Sequence, residues 1–347
     1  MNIKSVDIEK FSLFRDVKGL EFSPGINVFI GANATGKSHL LKLLYSIVRT
    51  AYTAEKDKTT DKKLIASRLQ EKLNRVFRPA DMQAHRLVHR MRGRNTASVG
   101  LQADTGNFNF RLTTSGNVYV DKQTLAQTEA PIFLPSREAL AMYEGFIQAY
   151  DNRELSFDET YYDICVALSG SLAKGPRLRK ARELAEPLEK ILGGSVRLEN
   201  DRFHVRSKDG TIEAHLLAEG LRKIASVVHL INNGSLLERG ILFWDEPEAN
   251  LNPKLTTQVC DALREMAASG VQIFLATHDY LISQEMSLAA EYQTIPQVPI
   301  RFFALSRTGE EKASVEAGET LADLQENPIL EEFAAHYERE QKLFAQS

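Results

Sequence analysis

The sequence contains few features that mark secreted, metal-bound or membrane proteins. Only two cysteines, Cys165 and Cys260, occur among 347 residues, and they form no CxxC pattern. We therefore expect neither disulfides nor a zinc site, and we expect the protein to reside in a reducing compartment. No apolar run approaches the roughly 20 residues that cross a membrane, and the N-terminus alternates like a strand rather than forming a signal peptide. We expect a cytoplasmic protein without membrane spans.

Net charge and low-complexity sequence are also scarce. The formal net charge is only −3, so any contact with nucleic acid would depend on local basic patches. Internal repeats and low-complexity linkers are absent from the sequence. The 43% hydrophobic and 26% charged residues are typical of a globular protein, and the length suffices for one large domain or two modest ones.

A glycine-rich stretch near the N-terminus contains the pattern G-x-x-x-x-G-K-[ST] within "VFIGANATGKSHLLKLL". Taken alone, it is either a phosphate loop or a chance glycine-rich turn. The apolar run before it predicts a strand, and the leucine spacing after it predicts a helix, which favours phosphate binding at a helix N-terminus. The predicted binding residues are Gly31, Ala32, Asn33, Ala34, Thr35, Gly36, Lys37, Ser38 and His39.

A second acidic motif, "ILFWDEPEANLNP", lies in the C-terminal half of the chain. Four apolar residues run directly into Asp245 and Glu246, as at the end of a central parallel strand. Asp245 is the expected partner of Ser38 for Mg²⁺, and Glu246 would polarise the attacking water. A plain acidic turn would be the reading if the segment stood alone.

Strands alternate with helices at both ends of the chain, which predicts an α/β fold with a parallel core sheet and a long, largely helical insertion. Finer expectations are a turn near Gly19 between the first two strands, an antiparallel meander over 97–120, helices over 139–192, a hairpin over 195–214, and a last helix from Thr320 to Phe344.

In order and content, "GANATGKS", "FWDEPEANLNP" and "FLATHD" resemble the ABC-class ATPases of the RecF/SMC/OLD-like branch. The resemblance implies a P-loop NTPase with an ABC-type head, in which a parallel core sheet is joined by an antiparallel β lobe and a largely helical insertion lobe. It implies one head over 1–347, built from a nucleotide core of 1–52 and 195–347, a basic helical and β-meander insertion at 53–138, and a helical lobe at 139–194.

The resemblance also assigns roles. Lys37 would bind phosphates, Glu246 would act in hydrolysis, and His278 would contact the γ-phosphate of ATP. The loop Ala249–Pro253, which includes Asn250, would cross a dimer interface as the D-loop. Ser136 and Arg137 are candidates for the Q-loop. ATP and Mg²⁺ are the implied ligands.

A signature motif is expected in "LLAEGLRKIASVV", where Ala218, Glu219, Gly220 and Lys223 would face the partner's ATP. The family usually has serine at the position of Ala218, and Lys223 or Arg222 would compensate for the lost hydroxyl. An ordinary amphipathic helix is the alternative. Because each chain carries one copy of each half-site, the resemblance implies a head-to-tail homodimer, or a higher even-numbered oligomer, around ATP.

The layout is also similar to that of the Septu and retron-associated antiphage defence ATPases, which implies a separately encoded effector, expected to be a nuclease. Basic segments at 62–94 and 174–182 are either solvated helix faces, surfaces for DNA or RNA, or protein-docking surfaces. The alternative functions are the ATP-binding subunit of a membrane ABC transporter and a scaffold that does not hydrolyse ATP.

Overall fold

The computed structural model describes residues 1–89, 93–237, 239–308 and 312–346. Its strands are β1 (Ile3–Phe11), β2 (Phe14–Glu21), β3 (Ile26–Ile30), β4 (Thr96–Ala103), β5 (Gly106–Thr113), β6 (Val118–Gln123), β7 (Ile132–Leu134), β8 (Gly194–Glu199), β9 (Arg202–Ser207), β10 (Gly210–Glu213), β11 (Ile241–Asp245), β12 (Gln272–Ala276), β13 (Ile300–Thr308) and β14 (Lys312–Gly318). Its α-helices are α1 (Lys37–Lys56), α2 (Lys62–Phe77), α3 (Phe146–Asp151), α4 (Glu159–Leu168), α5 (Pro176–Leu192), α6 (Glu219–Asn232), α7 (Pro253–Ala268), α8 (Tyr280–Glu291) and α9 (Pro328–Gln346).

A mixed six-stranded sheet with the order β14-β13-β3-β12-β11-β7 forms the centre of the protein. Neighbouring strands are parallel except for the antiparallel pair of β13 and β14. The apolar runs of β3, β11 and β12 are buried on both faces, which explains their lack of alternation. Because parallel strands end at the same edge, the residues that follow these three strands lie together. The predicted α/β core is confirmed.

An antiparallel sheet with the order β2-β1-β4-β5-β6 covers one side of α1. Its side chains share a core with α1, α2 and one face of the central sheet, to which Phe29 and Phe243 belong. The opposite face of the central sheet, including Val28 and Leu242, packs in a second core with the helices from α4 to α8. The predicted meander is confirmed as β4, β5 and β6, which makes the antiparallel lobe part of the head.

Two expectations for the first half of the chain need correction. The turn between β1 and β2 lies at Ser12 and Leu13, whereas Gly19 lies inside β2, where its N–H donates to Oδ1 of Asp7 at 2.7 Å. In addition, the expected division at residue 52 does not follow the sheets. β1, from the expected nucleotide core, lies beside β4, from the expected insertion, in the antiparallel sheet. β7, also from the expected insertion, pairs with β11 in the central sheet.

The second half of the chain also differs in detail. The predicted hairpin over 195–214 is a three-stranded sheet of β10, β9 and β8, with an additional turn at residues 200–201. The last helix begins at Pro328 rather than Thr320, because proline fits the first turn of a helix and restrains the residue before it. Among the described residues, no helix is long and apolar enough to cross a membrane.

Candidate active site

The glycine-rich loop Gly31–Ser38 connects the end of β3 to the first turn of α1. Gly31 and Gly36 have φ angles of 148° and 108°, which favour glycine. A Cβ atom on Gly31 would lie 2.3 Å from the carbonyl oxygen of Leu305, and one on Gly36 would lie 2.9 Å from the ring of Phe14. Neither position accepts a side chain, so the loop presents backbone amides in a form suited to phosphate.

The ammonium group of Lys37 lies within this loop. Its Nζ atom donates hydrogen bonds to the carbonyl oxygens of Gly31 at 2.6 Å and of Ala32 at 3.0 Å. Burial lowers the pKa of Lys37, and the carboxylates of Asp245 and Glu246 act in the opposite direction. The ammonium group of Lys37 therefore faces the acidic end of β11. This is expected for a cation that binds a phosphate lying between the loop and these carboxylates.

Ser38 and Asp245 meet at the same edge of the sheet. The Oγ atom of Ser38 donates to Oδ1 of Asp245 at 2.9 Å, although 207 positions separate the two residues. Burial raises the pKa of Asp245, and the hydrogen bond from Ser38 opposes this effect. A hydroxyl and a carboxylate are the oxygen ligands that Mg²⁺ prefers, so the residues present fit this ion.

Glu246 and His278 lie beside this pair. The N–H of Glu246 donates to the carbonyl oxygen of Ala276 at 2.8 Å, which continues the ladder between β11 and β12. A φ angle of 51° then turns the chain away from the sheet. Oε1 of Glu246 lies 3.7 Å from Nδ1 of His278, and the two side chains are 37% and 49% exposed. The predicted carboxylate and histidine are thus adjacent and accessible.

The expected signature segment forms the start of α6. Ala218 is the N-cap residue, it is exposed, and its side chain makes no capping hydrogen bond. Gly220 is buried, and a Cβ atom there would lie 2.4 Å from the carbonyl oxygen of Asn250 in the same chain. The close approach that requires glycine is therefore a contact with the chain's own D-loop. Gly220 was expected to face the partner's ATP, and within the described chain the need for glycine comes from the carbonyl oxygen of Asn250.

Lys223 and Arg222, which were expected to replace the missing serine, are both engaged within their own chain. Nζ of Lys223 is buried and donates to the carbonyl oxygen of Glu246 in its own chain at 3.1 Å. Nε of Arg222 donates to Oε1 of Glu138 at 2.7 Å, and another of its nitrogens donates to Leu217. Both cations stabilise the attachment of α6 to its own chain, so they do not point outward.

Two family models match overlapping parts of the chain. A model described as "AAA ATPase domain" matches residues 1–163, and one described as "AAA domain, putative AbiEii toxin, Type IV TA system" matches residues 121–283. The DNA replication and repair protein RecF of Streptococcus uberis is 41% identical over 81 residues, which are 22% of this chain and 21% of RecF. The arginine transport ATP-binding protein ArtP of Haemophilus influenzae is 29% identical over 102 residues, which are 29% of this chain and 34% of ArtP. The chain thus spans about a third or less of each relative's length.

Solved SMC heads share the fold over nearly the whole chain. An SMC head bound to the C-winged helix domain of ScpA has a TM-score of 0.57 and 12% identity, and the match covers 92% of this chain and 98% of that head. The head with an extended coiled coil, bound to the C-terminal domain of ScpA derived from Pyrococcus furiosus, has a TM-score of 0.56 and 11% identity over 96% and 99% of the two chains. The chain is thus similar in sequence to AAA ATPase domains and to a part of RecF, and it shares the fold of SMC heads.

Two residues of this site were not predicted from the sequence. Glu248 accepts hydrogen bonds at the end of β12, and Glu138 holds α6 through Arg222. Glu138 directly follows the Q-loop candidates Ser136 and Arg137. The sequence indicated Glu248 only through its position within the acidic motif. Its contacts could not be predicted, because they depend on how β11 and β12 pair.

His39 is positioned differently from the other predicted binding residues. Its Nδ1 atom lies 2.5 Å from Oγ of Ser12, and its ring packs edge-on against Phe77. Burial lowers the pKa of His39. The imidazole therefore belongs to the junction with the antiparallel lobe, and His39 offers the site only its backbone amide in the first turn of α1.

The cations of the basic segment 62–94 largely contact other parts of the chain. Lys72 is only 14% exposed, and its Nζ atom lies 2.8 Å from Glu159 and 3.0 Å from Asp163 on α4. Arg90 and Arg92 lie outside the described residues. Further contacts within the chain are made by Lys62, Arg68, Arg75, Arg78 and Arg86. Fewer cations of this segment are therefore available for a partner than the sequence alone indicates.

Proposed function

We propose that the chain is an ATP-driven switch in which two copies join head to tail around two ATP molecules and separate after hydrolysis. The observation that carries the proposal is the convergence at one sheet edge of Lys37, the Ser38–Asp245 pair and the Glu246–His278 pair. These are the cation, metal ligands, carboxylate and γ-phosphate contact that phosphoryl transfer to water requires.

Each residue then has a defined task. Lys37 exchanges the carbonyl oxygens of its own loop for oxygens of the β- and γ-phosphates. Ser38 and Asp245 would hold Mg²⁺, which supplies charge neutralisation at the phosphates. Glu246 accepts a proton from the attacking water, and His278 orients the terminal phosphate. The glycines of the loop let its amides approach the phosphates closely.

The dimer supplies the side of the site that one chain lacks. In the described residues, no hydrogen bond or ion pair joins Gly31–Ser38 to the start of α6. A helix N-terminus attracts anions, and the exposed Ala218 end of α6 is available to the γ-phosphate of a partner. Because Ala218 has no hydroxyl, we expect pairing weaker than a serine would give.

Hydrolysis and its dependence on metal are tested directly by phosphate release. We expect the purified chain to release phosphate from ATP with Mg²⁺, and chelation of divalent ions to abolish release because Ser38 and Asp245 then lack their bridging cation. Adding back excess Mg²⁺ should restore activity. Phosphate release that continues unchanged in excess chelator would contradict the assignment of Ser38 and Asp245.

We further propose that the switch acts in the cytoplasm and controls a separately encoded effector. This effector would be a nuclease that acts in antiphage defence or DNA repair. Support comes from the SMC heads that bind a domain of ScpA, and from the similarity to RecF. The two cysteines of this chain are free and buried, which is in keeping with a reducing compartment. A transporter subunit is less supported, because the similarity to ArtP covers 29% of the chain and the SMC-head fold covers 92%.

DNA or RNA is proposed as a ligand only through the exposed cations of the basic segments, such as Lys63 and Arg94. Within 174–182, Arg177 donates to the carbonyl oxygen of Gly234 at 3.1 Å and is partly engaged. Replacing Lys63 and Arg94 by glutamine should lower the salt dependence of nucleic-acid binding by about one unit of slope for each lost phosphate contact. Binding that shows the same slope in the double variant would place the contact elsewhere.

A further inference from the structure

A surface cleft lies between the end of α2 and the segment that joins α3 to α4. Its volume is about 580 Å³, which is in the range of pockets that hold small organic ligands. None of its lining residues belongs to the candidate active site. The lining combines apolar and aromatic side chains with three arginines, namely Met82, Tyr150, Phe157, Arg75, Arg78 and Arg153.

The aromatic wall of the cleft is supported from within the fold. The ring of Phe146 is buried, and its centroid lies 6.1 Å from that of Tyr150 and 5.5 Å from that of Phe157. Met82 adds a thioether side chain that is 44% exposed. Aromatic rings and a polarisable sulfur offer a nucleobase an apolar surface against which to pack.

Two arginines of the cleft keep their positive charge available. The guanidinium of Arg153 is exposed and makes no hydrogen bond or ion pair within the described part of the chain. Arg78 donates to the carbonyl oxygen of Phe157 at 2.8 Å and to Oγ of Ser156 at 3.1 Å. Both of these acceptors are neutral, so they orient the guanidinium of Arg78 without neutralising it.

The other charged groups of the cleft already have partners. Arg75 is paired with carboxylates of α2 and α4. Asp151, the one acid among the described lining residues, shares a hydrogen bond with Tyr162. Arg78 and Arg153 are therefore the cations of this cleft that can bind an anion.

The backbone around the cleft is strained at four residues that carry side chains. Arg78, Asp81, Met82 and Arg153 have φ angles of 47°, 58°, 52° and 62°. Residues other than glycine rarely adopt this left-handed conformation, and glycine is usual where a helix ends in it, as α2 does at Arg78. Such strained residues cluster at sites that bind ligands, where the side chain itself is needed.

We infer that this cleft binds a nucleotide unit presented by single-stranded nucleic acid, with the base against the aromatic wall and the adjoining phosphate on Arg78 and Arg153. Arg78 belongs to the basic segment 62–94, and Arg153 adds a cation from outside that segment. The inference rests on the part of the proposed function that gives the chain a nucleic-acid ligand, and it names the site that holds this ligand.

The pocket shape favours an unpaired base. In a duplex each base is stacked between its neighbours, so it enters a pocket only when it is turned out of the helix. A single strand offers base faces and phosphates together, and aromatic rings with arginines are the groups that bind them. A free nucleotide has the same chemistry, so the experiment compares the two sources.

Arg153→Gly tests the charge without disturbing the fold, because glycine accepts a φ of 62°. The thermal unfolding temperature should stay close to that of the wild type, because relief of strain and the greater freedom of the unfolded chain oppose each other. We expect a fluorescent oligothymidylate of about ten nucleotides to bind roughly tenfold more weakly. The salt dependence of binding should fall by about 0.7 unit of slope, as for one lost phosphate contact on a single strand.

The matched control is Lys58→Gly, which removes an exposed cation at a φ of 52° outside the cleft. It should bind the strand as the wild type does. Photocrosslinking reports the base directly: a strand that carries brominated uracil should label Met82, Tyr150 or Phe157, and mass spectrometry locates the label.

Wild-type affinity in Arg153→Gly, with crosslinks only outside the cleft, would overturn the inference. If the Lys63 and Arg94 double variant binds weakly while Arg153→Gly does not, the inference fails and the proposed nucleic-acid ligand stands. A wild-type chain that binds neither the strand nor thymidine monophosphate would contradict both. Displacement of the strand by thymidine monophosphate at an equal nucleotide concentration would keep the cleft and assign it to free nucleotides.

Discussion

Glu246→Gln is expected to bind ATP almost as the wild type does and to hydrolyse it at least about a hundredfold more slowly, the usual contribution of a general base. The amide preserves the shape of a side chain that emerges from a backbone with φ of 51°, at the half-buried end of β11. It has no lone pair of sufficient basicity to take a proton from water. Nucleotide affinity and phosphate release, measured on the same preparation, separate the two effects.

The matched control is Glu265→Gln, which makes the same chemical change at an exposed position of α7. It should leave affinity and turnover unchanged. A Glu246→Gln protein that hydrolyses ATP at the wild-type rate would show that the proton acceptor is another group.

Lys37→Ala is expected to abolish ATP binding. Its ammonium makes two short hydrogen bonds to carbonyl oxygens of the loop, which we expect phosphate oxygens to replace. Charged hydrogen bonds contribute about 1.5–3 kcal/mol each, so losing two should raise Kd by roughly a hundredfold or more. Titration with a fluorescent ATP analogue measures this directly.

Lys56→Ala is the control for this variant, since Lys56 ends the same helix and is exposed. It removes an equal charge at the far end of α1 and should leave Kd unchanged. Comparable ATP affinity in Lys37→Ala and wild type would mean that the loop does not bind the β- and γ-phosphates.

The parts of the site that the sequence predicts well are those set by local rules. The apolar runs of β3, β11 and β12 can only be central strands, and Gly31 and Gly36 occupy positions where a side chain would collide. The parallel arrangement then brings the ends of these strands to one edge. Together with the need of a phosphate loop for an acidic metal ligand, this arrangement predicted that Ser38 and Asp245 meet, and they do.

The parts that the sequence does not predict depend on partners distant along the chain. Lys72 looks like a surface cation until α4 places Glu159 and Asp163 against it. Lys223 looks like an outward-facing residue of a signature helix, but the residue that follows β11 offers it the carbonyl oxygen of Glu246. Spacing within a segment carries no information about which acid or carbonyl group the fold will bring beside it.

Gly220 shows the same limit in a residue whose importance was expected. A glycine at a helix start suggests close approach of phosphate, but the atom that approaches is the carbonyl oxygen of Asn250. A substitution at Gly220 would therefore disturb the D-loop within one chain. Ala218 is the better probe of the partner, because it is exposed and its side chain makes no capping hydrogen bond.

The central claim is that the start of α6 binds the partner's γ-phosphate, and light scattering with ATP and Mg²⁺ tests it in two matched variants. Serine and aspartate are both good N-cap residues, so Ala218→Ser and Ala218→Asp should each stabilise α6 by about 1 kcal/mol. They differ at the interface, where serine adds a hydroxyl donor and aspartate adds a negative charge against phosphate. Each substitution is combined with Glu246→Gln. We expect Ala218→Ser to strengthen the ATP-dependent dimer, and we expect Ala218→Asp to leave monomers that still bind ATP. Equal ATP-dependent dimerisation of the two double variants would contradict the account.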